Sequence, residues 1–402
     1  MPDPGHILAS LATYAAFRLY NPTAFSGDTP SHHTRLWLMI VGGPSGGKTE
    51  GVNAISECPQ VYQASLLTIG GLLSGSSKKD TTKEATGGLL RAMGDKGFLV
   101  MKDFTSVLTM PREAKQQVLS ALREIYDGKW TRLIGSDGGK SLSWEGHMGL
   151  LVGVTTEIDS HFEVMNKLGE RFLYYRLPEM DTDEQQKQAA RALDFDGYSF
   201  LLTELVEDFF EGLSFEKITE CTPQENDFLI ALSTLVVRGR SSVDRDGYTR
   251  TLEFKHAGEA PARLVKQLKL LLTALAKIGV RAPYRHEIVR KVALDSMPPM
   301  RCEVLCAVAQ AKGPVTKEDL SKSTNLTKTM IYRALEELQV HGIVFSKPVA
   351  IEAKESSNEE KTDKKSDTTF LWELRPNVRE LWVRSLGVSD LSVVQGRTQA
   401  AY

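Results

Sequence analysis

The chain has 402 residues, of which 41% are hydrophobic and 25% are charged, with a formal net charge of −2 at pH 7. These values are typical of a globular protein with two or three domains, and they exclude a general electrostatic attraction to nucleic acid, which must instead come from local patches. No run of about 18 apolar residues and no basic N-terminal region occurs, so we expect a cytoplasmic protein with no membrane partner.

The first half of the sequence alternates between two periodicities. Helical spacing in residues 6–20 predicts a helix within an N-terminal lead-in, residues 1–35. Across residues 36–180, the β-like segments "LWLMIVGG", "FLVMKDF", "MGLLVGVTT" and "RFLYYRLP" alternate with helical ones, which predicts an α/β domain with a parallel sheet and helices on both faces. Within it, "REAKQQVLSALREIYDG" predicts an amphipathic helix closed by Asp127-Gly128, and "WTRLIGSDGGKSLSWEG" predicts a β-hairpin with its turn at 136–139.

The second half of the sequence turns helical. Residues 181–297 predict an all-α unit, and Pro298-Pro299 marks a break. Residues 298–402 predict three helices followed by two strands, the order of a winged helix-turn-helix, with a capping box formed by Thr316 and Asp319. The charged segment 352–368 predicts a disordered loop between the two strands. Cys302 and Cys306 share a predicted helix face, but no second pair or nearby His completes a metal site, which favours buried thiols.

A glycine-rich motif lies between a β-like segment and a helical one. The segment fits G-x-x-x-x-G-K-[ST] and comprises Gly42, Gly43, Pro44, Ser45, Gly46, Gly47, Lys48 and Thr49. Its glycines let backbone N–H groups face phosphates, Lys48 is placed to reach the β- and γ-phosphates, and the Thr49 hydroxyl is placed to bind Mg²⁺. The motif therefore predicts ATP and Mg²⁺ as ligands.

An acidic residue follows the next apolar strand. Asp103 in "FLVMKD" suits a carboxylate linked to Mg²⁺, and an Asp that caps the next helix is the structural alternative. The group that polarises the attacking water stays open between Asp103 and Glu50, the neighbour of Thr49.

Taken in this order, the motifs resemble the core of an AAA+ ATPase. The hairpin before "MGLLVGVTT" resembles the AAA+ group that includes the minichromosome maintenance (MCM) replicative helicases. The segments "GKTE", "LLSG", "KDFT", "REIYDG" and "GERF" resemble MCM-like helicases encoded by phages and mobile genetic elements. The resemblance covers roughly residues 25–350 and departs from MCM proteins at "KDF", where they carry an Asp-Glu pair.

The resemblance implies a homo-oligomeric ring, a hexamer in this family, and roles for three more residues. Thr155 in "GVTT" would sense the γ-phosphate; a Thr that merely ends a strand is the alternative. Arg171 in "GERF" would be the arginine finger inserted into a neighbour's site, with Arg176 as the other candidate and an ordinary ion pair as the structural alternative. Arg263 in "PARLVKQL" would be the nucleotide-sensing lid arginine; a solvated first-turn arginine is the alternative.

Two regions are candidates for binding DNA. In a ring, the hairpin would point into the central channel, where Arg132 and Lys140 would contact single-stranded DNA; the loop 72–80 is a second basic candidate, and a plain surface loop is its alternative. In the predicted winged helix, "NLTKTMIYRALEEL" is the candidate recognition helix, with Lys328, Thr329 and Arg333 directed at duplex DNA. Many winged helices bind protein instead, and residues 301–349 are only weakly basic, with seven Lys or Arg against five Asp or Glu.

These observations favour a ring-forming, ATP-hydrolysing DNA helicase or translocase in the replication of a phage or mobile element. Two alternatives stay open. One is a helicase loader or remodeller that acts with a replication partner protein, and the other is a nucleotide-gated winged-helix regulator with little turnover.

Overall fold

In a computed structural model of the protein, the described residues fall into two compact units. The first is drawn from residues up to Asn226 and from Ala262–Ser296, and the second from Asp227–Pro261 and Met297–Gly387. No helix among the described residues is long and apolar enough to cross a membrane. The structure describes residues 4–20, 34–44, 46–74, 87–134, 140–162, 165, 170–179, 182–194, 198–216, 220–350 and 368–386.

The first unit is built on a five-stranded parallel sheet in the order β2-β3-β6-β1-β7. In chain order its strands are β1 (Trp37–Val41), β2 (Val61–Gln63), β3 (Lys96–Met101), β4 (Lys129–Ile134), β5 (Lys140–Glu145), β6 (His147–Val154) and β7 (Phe172–Arg176). The predicted parallel sheet is confirmed. The sequence did not indicate β2, because a three-residue strand at the sheet edge has no periodicity to detect.

Helices cover both faces of this sheet. The helices of this unit are α1 (Gly5–Arg18), α2 (Lys48–Asn53), α3 (Ile69–Leu72), α4 (Leu89–Met93), α5 (Thr105–Leu108), α6 (Arg112–Tyr126), a 3₁₀ helix (Thr156–His161), α7 (Thr182–Asp194), α8 (Tyr198–Glu211), the start of α9 (Pro223–Arg240), α10 (Ala262–Lys277) and α11 (Ala282–Asp295). As predicted, α6 is amphipathic and ends at Asp127-Gly128, where Gly128 adopts a φ of 95° that favours glycine.

Alternating side chains of the central strands explain the two covered faces. Trp37 and Met39 belong to one buried core cluster with residues of α5 and α6. Phe98 of β3 points to the other face, where the ring of Tyr14 on α1 meets it edge-on at 5.5 Å between centroids. On that face Gly149 of β6 leaves room for the Phe98 ring, which an added Cβ would approach to 2.3 Å.

The predicted hairpin is present as the antiparallel pair β4–β5, in register from Lys129↔Glu145 to Ile134↔Lys140. Trp130 and Trp144 lie opposite each other and are buried in the core cluster. The turn 136–139 lies outside the described residues, as do Ser45, residues 75–80 of the second basic loop and nearly all of 352–368.

The second unit contains the predicted succession of three helices and two strands. Its further elements are β8 (Val243–Arg245), β9 (Leu252–Lys255), α12 (Pro299–Gln310), α13 (Lys317–Thr324), α14 (Lys328–Val340), β10 (Val344–Ala350), β11 (Thr368–Leu374) and α15 (Pro376–Arg384). Strands β10 and β11 pair antiparallel. The predicted capping box of Thr316 and Asp319 opens α13, and Cys302 and Cys306 are buried.

The segment predicted to be all-α, 181–297, is corrected in one place. It contains the antiparallel hairpin β8–β9, whose turn includes Asp246-Gly247. An Asp-Gly pair between β-like residues is a hairpin signal, and the flanking long helices obscured it. The two units also divide the chain differently from the predicted boundaries, since 182–226 and 262–296 belong with the sheet and 227–261 with the C-terminal helices.

Candidate nucleotide-binding site

The glycine-rich motif forms the loop between β1 and α2, at the carboxyl end of β1. The Gly42 N–H donates to the carbonyl of Val154 at the end of β6, 3.2 Å away. Gly47 has a φ of 85° and immediately precedes Lys48, the first residue of α2. A side chain is strained at that φ, so glycine is required there for the chain to enter the helix. Gly43 and Pro44 are exposed, Gly46 is half-buried, and Ser45 lies outside the described residues.

Lys48 folds back over its own loop. Its Nζ donates to the Gly43 carbonyl at 2.5 Å. Partial burial lowers the pKa of Lys48, and the nearby carboxylate of Asp103 opposes that shift. The lysine and the acidic residue are therefore close enough to interact electrostatically. Thr49 is exposed, and so is Glu50, whose Oε2 lies 3.6 Å from the position that a Cβ on Gly47 would take.

Asp103 follows β3 and is exposed at the same edge of the sheet. Its Oδ1 accepts the backbone N–H of Thr105, the first residue of α5, at 2.8 Å, while the N-cap of α5 is Phe104. The hydroxyl of Thr105 lies 3.2 Å from that of Thr155, the residue that follows β6. Sequence reasoning missed Thr105; its only signal was a hydroxyl residue two positions after the acidic one.

The residues described so far all lie at the carboxyl edge of the parallel sheet. The register pairs Val41 with Val154 and Met101 with Val152, so the loop, Asp103 and Thr155 leave the sheet on one side. Open α/β sheets bind ligands at this edge, where loops follow the strands. The structure thus brings together the predicted phosphate loop, the acidic residue and the sensing threonine.

Arg171 lies at the opposite edge of the sheet. It immediately precedes β7, whose first residue pairs with Trp37, the first residue of β1. The side chain is only 7% exposed, and its Nη2 lies 2.7 Å from Oδ2 of Asp127. The guanidinium also lies 5.5 Å from the ring centroid of Tyr126. Burial lowers the pKa of Arg171, and the hydrogen bond to Asp127 opposes the shift.

Arg263 lies near Arg171 and not at the phosphate loop. It is in the first turn of α10, and Gln267 one turn later donates to the carbonyl of Arg171 at 2.8 Å and to the Tyr126 hydroxyl at 3.0 Å. Arg263 is close enough to lower the pKa of Arg171. One strand length, on the order of 15 Å, therefore separates both arginines from the loop of their own chain.

Arg176, the other candidate finger, ends β7 at the carboxyl edge. It forms a two-pronged pair with Asp159, at 2.9 and 2.7 Å, and its Nε donates to the Asp295 carbonyl at 3.0 Å. This arginine is next to the phosphate loop of its own chain and is bound by two neighbours.

The candidate DNA-binding residues have different surroundings. Arg132 donates to the carbonyls of Ile69 at 3.3 Å and Leu73 at 2.5 Å, so its guanidinium holds the α3 segment. The backbone of Lys140 begins β5, and its side chain is outside what the structure describes. In the second unit, Lys328 pairs with Glu318 at 2.8 Å, while Thr329 and Arg333 are exposed on α14.

Comparisons with known proteins assign no family to this chain. No family model matches the chain, and no curated protein does. Among solved structures, the chain is similar to the Orc1 protein of Aeropyrum pernix in complex with DNA, at 13% sequence identity over 96% of this chain and 92% of that chain. The TM-score is 0.25, a value at which the likeness carries no inference about this chain. The proposed function therefore rests on the geometry of this chain's own residues.

Proposed function

We propose that the protein is an AAA+ ATPase that assembles with copies of itself and hydrolyses ATP to act on DNA, as a helicase or translocase in the replication of a phage or mobile element. One observation supports this most directly. The phosphate loop, Asp103 and Thr155 lie at one edge of the sheet, whereas Arg171 and Arg263 lie at the other. An arginine at that opposite edge that contacts a nucleotide must therefore contact one bound to a neighbouring copy of the chain.

The carboxyl-edge residues suit ATP and Mg²⁺ in type and conformation. The left-handed Gly47 and the exposed Gly43 leave backbone N–H groups free of side-chain cover, which a closely bound phosphate requires. Lys48 would exchange its Gly43 carbonyl for phosphate oxygens. The Thr49 hydroxyl and the Asp103 carboxylate would hold Mg²⁺, which would neutralise charge on the phosphates.

The water-polarising role stays divided between Asp103 and Glu50. Asp103 is fixed by the N–H of Thr105, whereas Glu50 is exposed in the first turn of α2 beside the loop. Thr155 is tied through Thr105 to the same segment as Asp103, so a change at the γ-phosphate would be transmitted to the acidic strand.

The amino-edge arginines would complete a neighbour's site. An arginine finger stabilises charge on the transferred phosphoryl group and accelerates hydrolysis by about 10³–10⁵. Arg171 would have to exchange Asp127 for that phosphate when copies meet. Its low exposure equally favours the alternative of a nucleotide-gated regulator with little turnover, in which the pair with Asp127 is purely structural.

The C-terminal unit would provide the DNA contact as a winged helix, with α14 as its recognition helix. Thr327 caps α14, accepting the Met330 N–H at 3.3 Å, so the helix starts where Lys328 and Thr329 are exposed. Lys140 in the β4–β5 hairpin is the candidate channel residue. We do not propose Arg132 as a DNA contact, because its guanidinium already donates to two backbone carbonyls.

The test is ATP hydrolysis by the purified full chain, with and without single-stranded DNA, beside a Lys48→Ala variant. DNA-stimulated turnover that the substitution abolishes supports the motor, and strand separation with ATP alone then separates a helicase from a loader that needs a partner protein. Tight nucleotide binding without turnover under either condition refutes the motor and leaves the regulator.

A further inference from the structure

The second unit contains a hairpin that the functional proposal does not use. Its strands β8 and β9 flank the turn 246–251, and its exposed side chains include two aromatic and two basic ones, beside Thr249, Thr251 and Glu253. Tyr248 at the turn is 96% exposed and Phe254 on β9 is 59% exposed. Arg250 and Lys255 are exposed as well. An aromatic ring with a cation beside it is the combination by which many proteins bind single-stranded nucleic acid.

A half-buried arginine joins this hairpin to the candidate recognition helix. The guanidinium of Arg245 donates to the carbonyl of Arg250 in the turn at 2.9 Å and to the carbonyl of Arg333 on α14 at 3.2 Å. Because one guanidinium donates to both carbonyls, the two backbones lie about 8 Å apart or closer. The turn is therefore fixed beside the exposed Arg333.

The same arginine also offsets the charge of two carboxylates on α14. Arg245 pairs with Glu336 at 3.1 Å and with Glu337 at 3.0 Å, and Arg301 also pairs with Glu337. Asp246 keeps its negative charge within the turn: its Oδ1 accepts the Tyr248 N–H at 2.9 Å and the Thr249 hydroxyl at 2.7 Å, and the hydrogen bonds from Thr249 and Tyr248 lower the pKa of the carboxyl.

Asp244 is likewise engaged, since it bonds His256 at 2.9 Å. Glu253 is exposed. The turn held next to Arg333 therefore presents the Tyr248 ring and the Arg250 side chain to solvent.

We propose that the β8–β9 hairpin is a second nucleic-acid contact, in which Tyr248 stacks on an unpaired base and Arg250 binds the adjacent phosphate while α14 holds the neighbouring DNA. This inference rests on the proposed DNA binding by the second unit. A stacking tyrosine needs an unpaired base, so the hairpin favours single-stranded DNA or the end of a duplex over a continuous duplex.

The experiment measures binding of the full chain to a fluorescein-labelled single strand and to the matched duplex by fluorescence anisotropy, over a series of salt concentrations. We expect Tyr248→Ala to weaken single-strand binding about tenfold, with a smaller effect on duplex, and Tyr248→Phe to bind like the wild type because the ring is kept. Arg250→Asn removes the cation at a residue whose φ of 61° asparagine tolerates, and it should reduce the salt slope by about one. Tyr284→Ala is the matched control, an equally simple loss of an exposed tyrosine, 57% exposed on α11.

The outcomes separate this inference from the proposed function. If Tyr248→Ala and Arg250→Asn bind like the wild type while Arg333→Ala weakens binding, the hairpin contact is refuted and the winged-helix proposal stands. If the wild type binds neither DNA, both are refuted. A loss of binding with Tyr284→Ala equal to that with Tyr248→Ala also refutes the hairpin contact, because the effect is then not specific to the turn.

Discussion

Replacing Arg171 with alanine separates a catalytic role from a structural one. The side chain is 7% exposed, pairs with Asp127 at 2.7 Å and lies 5.5 Å from the Tyr126 ring. Removing it leaves Asp127, which is 55% exposed and can be solvated by water, so no buried charge is stranded. The lost charged hydrogen bond and cation–π contact should reduce the free energy of unfolding by about 2 kcal/mol. A typical domain tolerates that loss and stays folded.

The expected effect of Arg171→Ala on turnover is much larger than its effect on stability. If Arg171 is the finger, Arg171→Ala should reduce turnover by about 10³ or more while nucleotide binding to the loop is kept. Asp127→Ala is the matched control, because it breaks the same pair and keeps the arginine. It leaves a buried guanidinium without its carboxylate and should therefore destabilise the fold by about 3 kcal/mol, more than Arg171→Ala does. Its turnover should be maintained.

The assay combines chemical denaturation, nucleotide binding and steady-state ATP hydrolysis. Mixing Lys48→Ala with Arg171→Ala subunits should restore activity, because the first supplies the finger and the second an intact phosphate loop. Hydrolysis by Arg171→Ala within tenfold of wild type, or mixtures no more active than their parts, would contradict a shared site and leave Arg171 as a structural residue.

Three further outcomes follow from the same structure. Gly47→Ala should weaken nucleotide binding about tenfold in a fluorescent-nucleotide titration, because a side chain at its φ of 85° costs roughly 1–2 kcal/mol; unchanged affinity would show that the loop does not bind phosphate in this conformation. Asp103→Asn should lower turnover at saturating ATP far more than Glu50→Gln does if Asp103 acts on both metal and water, and the reverse order would assign the water to Glu50. Burial lowers the pKa of His341 to about 4. As the pH falls from about 6.5 to 4, this histidine therefore binds a proton in the unfolded chain but not in the folded one, and the free energy of unfolding should fall. His341→Gln should flatten that slope by up to about 1.4 kcal/mol per pH unit, and parallel slopes in pH-dependent denaturation would exclude the histidine as the cause.

The sequence by itself determined the elements that depend on neighbouring residues. The phosphate loop, the end of α6 at Asp127-Gly128 and the capping box at Thr316 each depend on residues within a few positions of one another. Glycine conformations, caps and helical periodicity act over that distance, so these elements could be predicted one segment at a time. Asp103 was detectable for the same reason, since an acidic residue directly follows an apolar strand.

Only the tertiary structure decided which residues share an edge of the sheet. Strand β6, which separates the loop strand from the acidic strand, follows both in the chain, and no local pattern specifies that order. The order places Thr105 against Thr155, and the register of β7 places Arg171 a strand length away from the loop. Pairs such as Arg171–Asp127 and Arg245–Arg333 join residues 44 and 88 positions apart. Their partners depend on long-range packing, and that packing alone places the two arginines at the amino edge of the sheet.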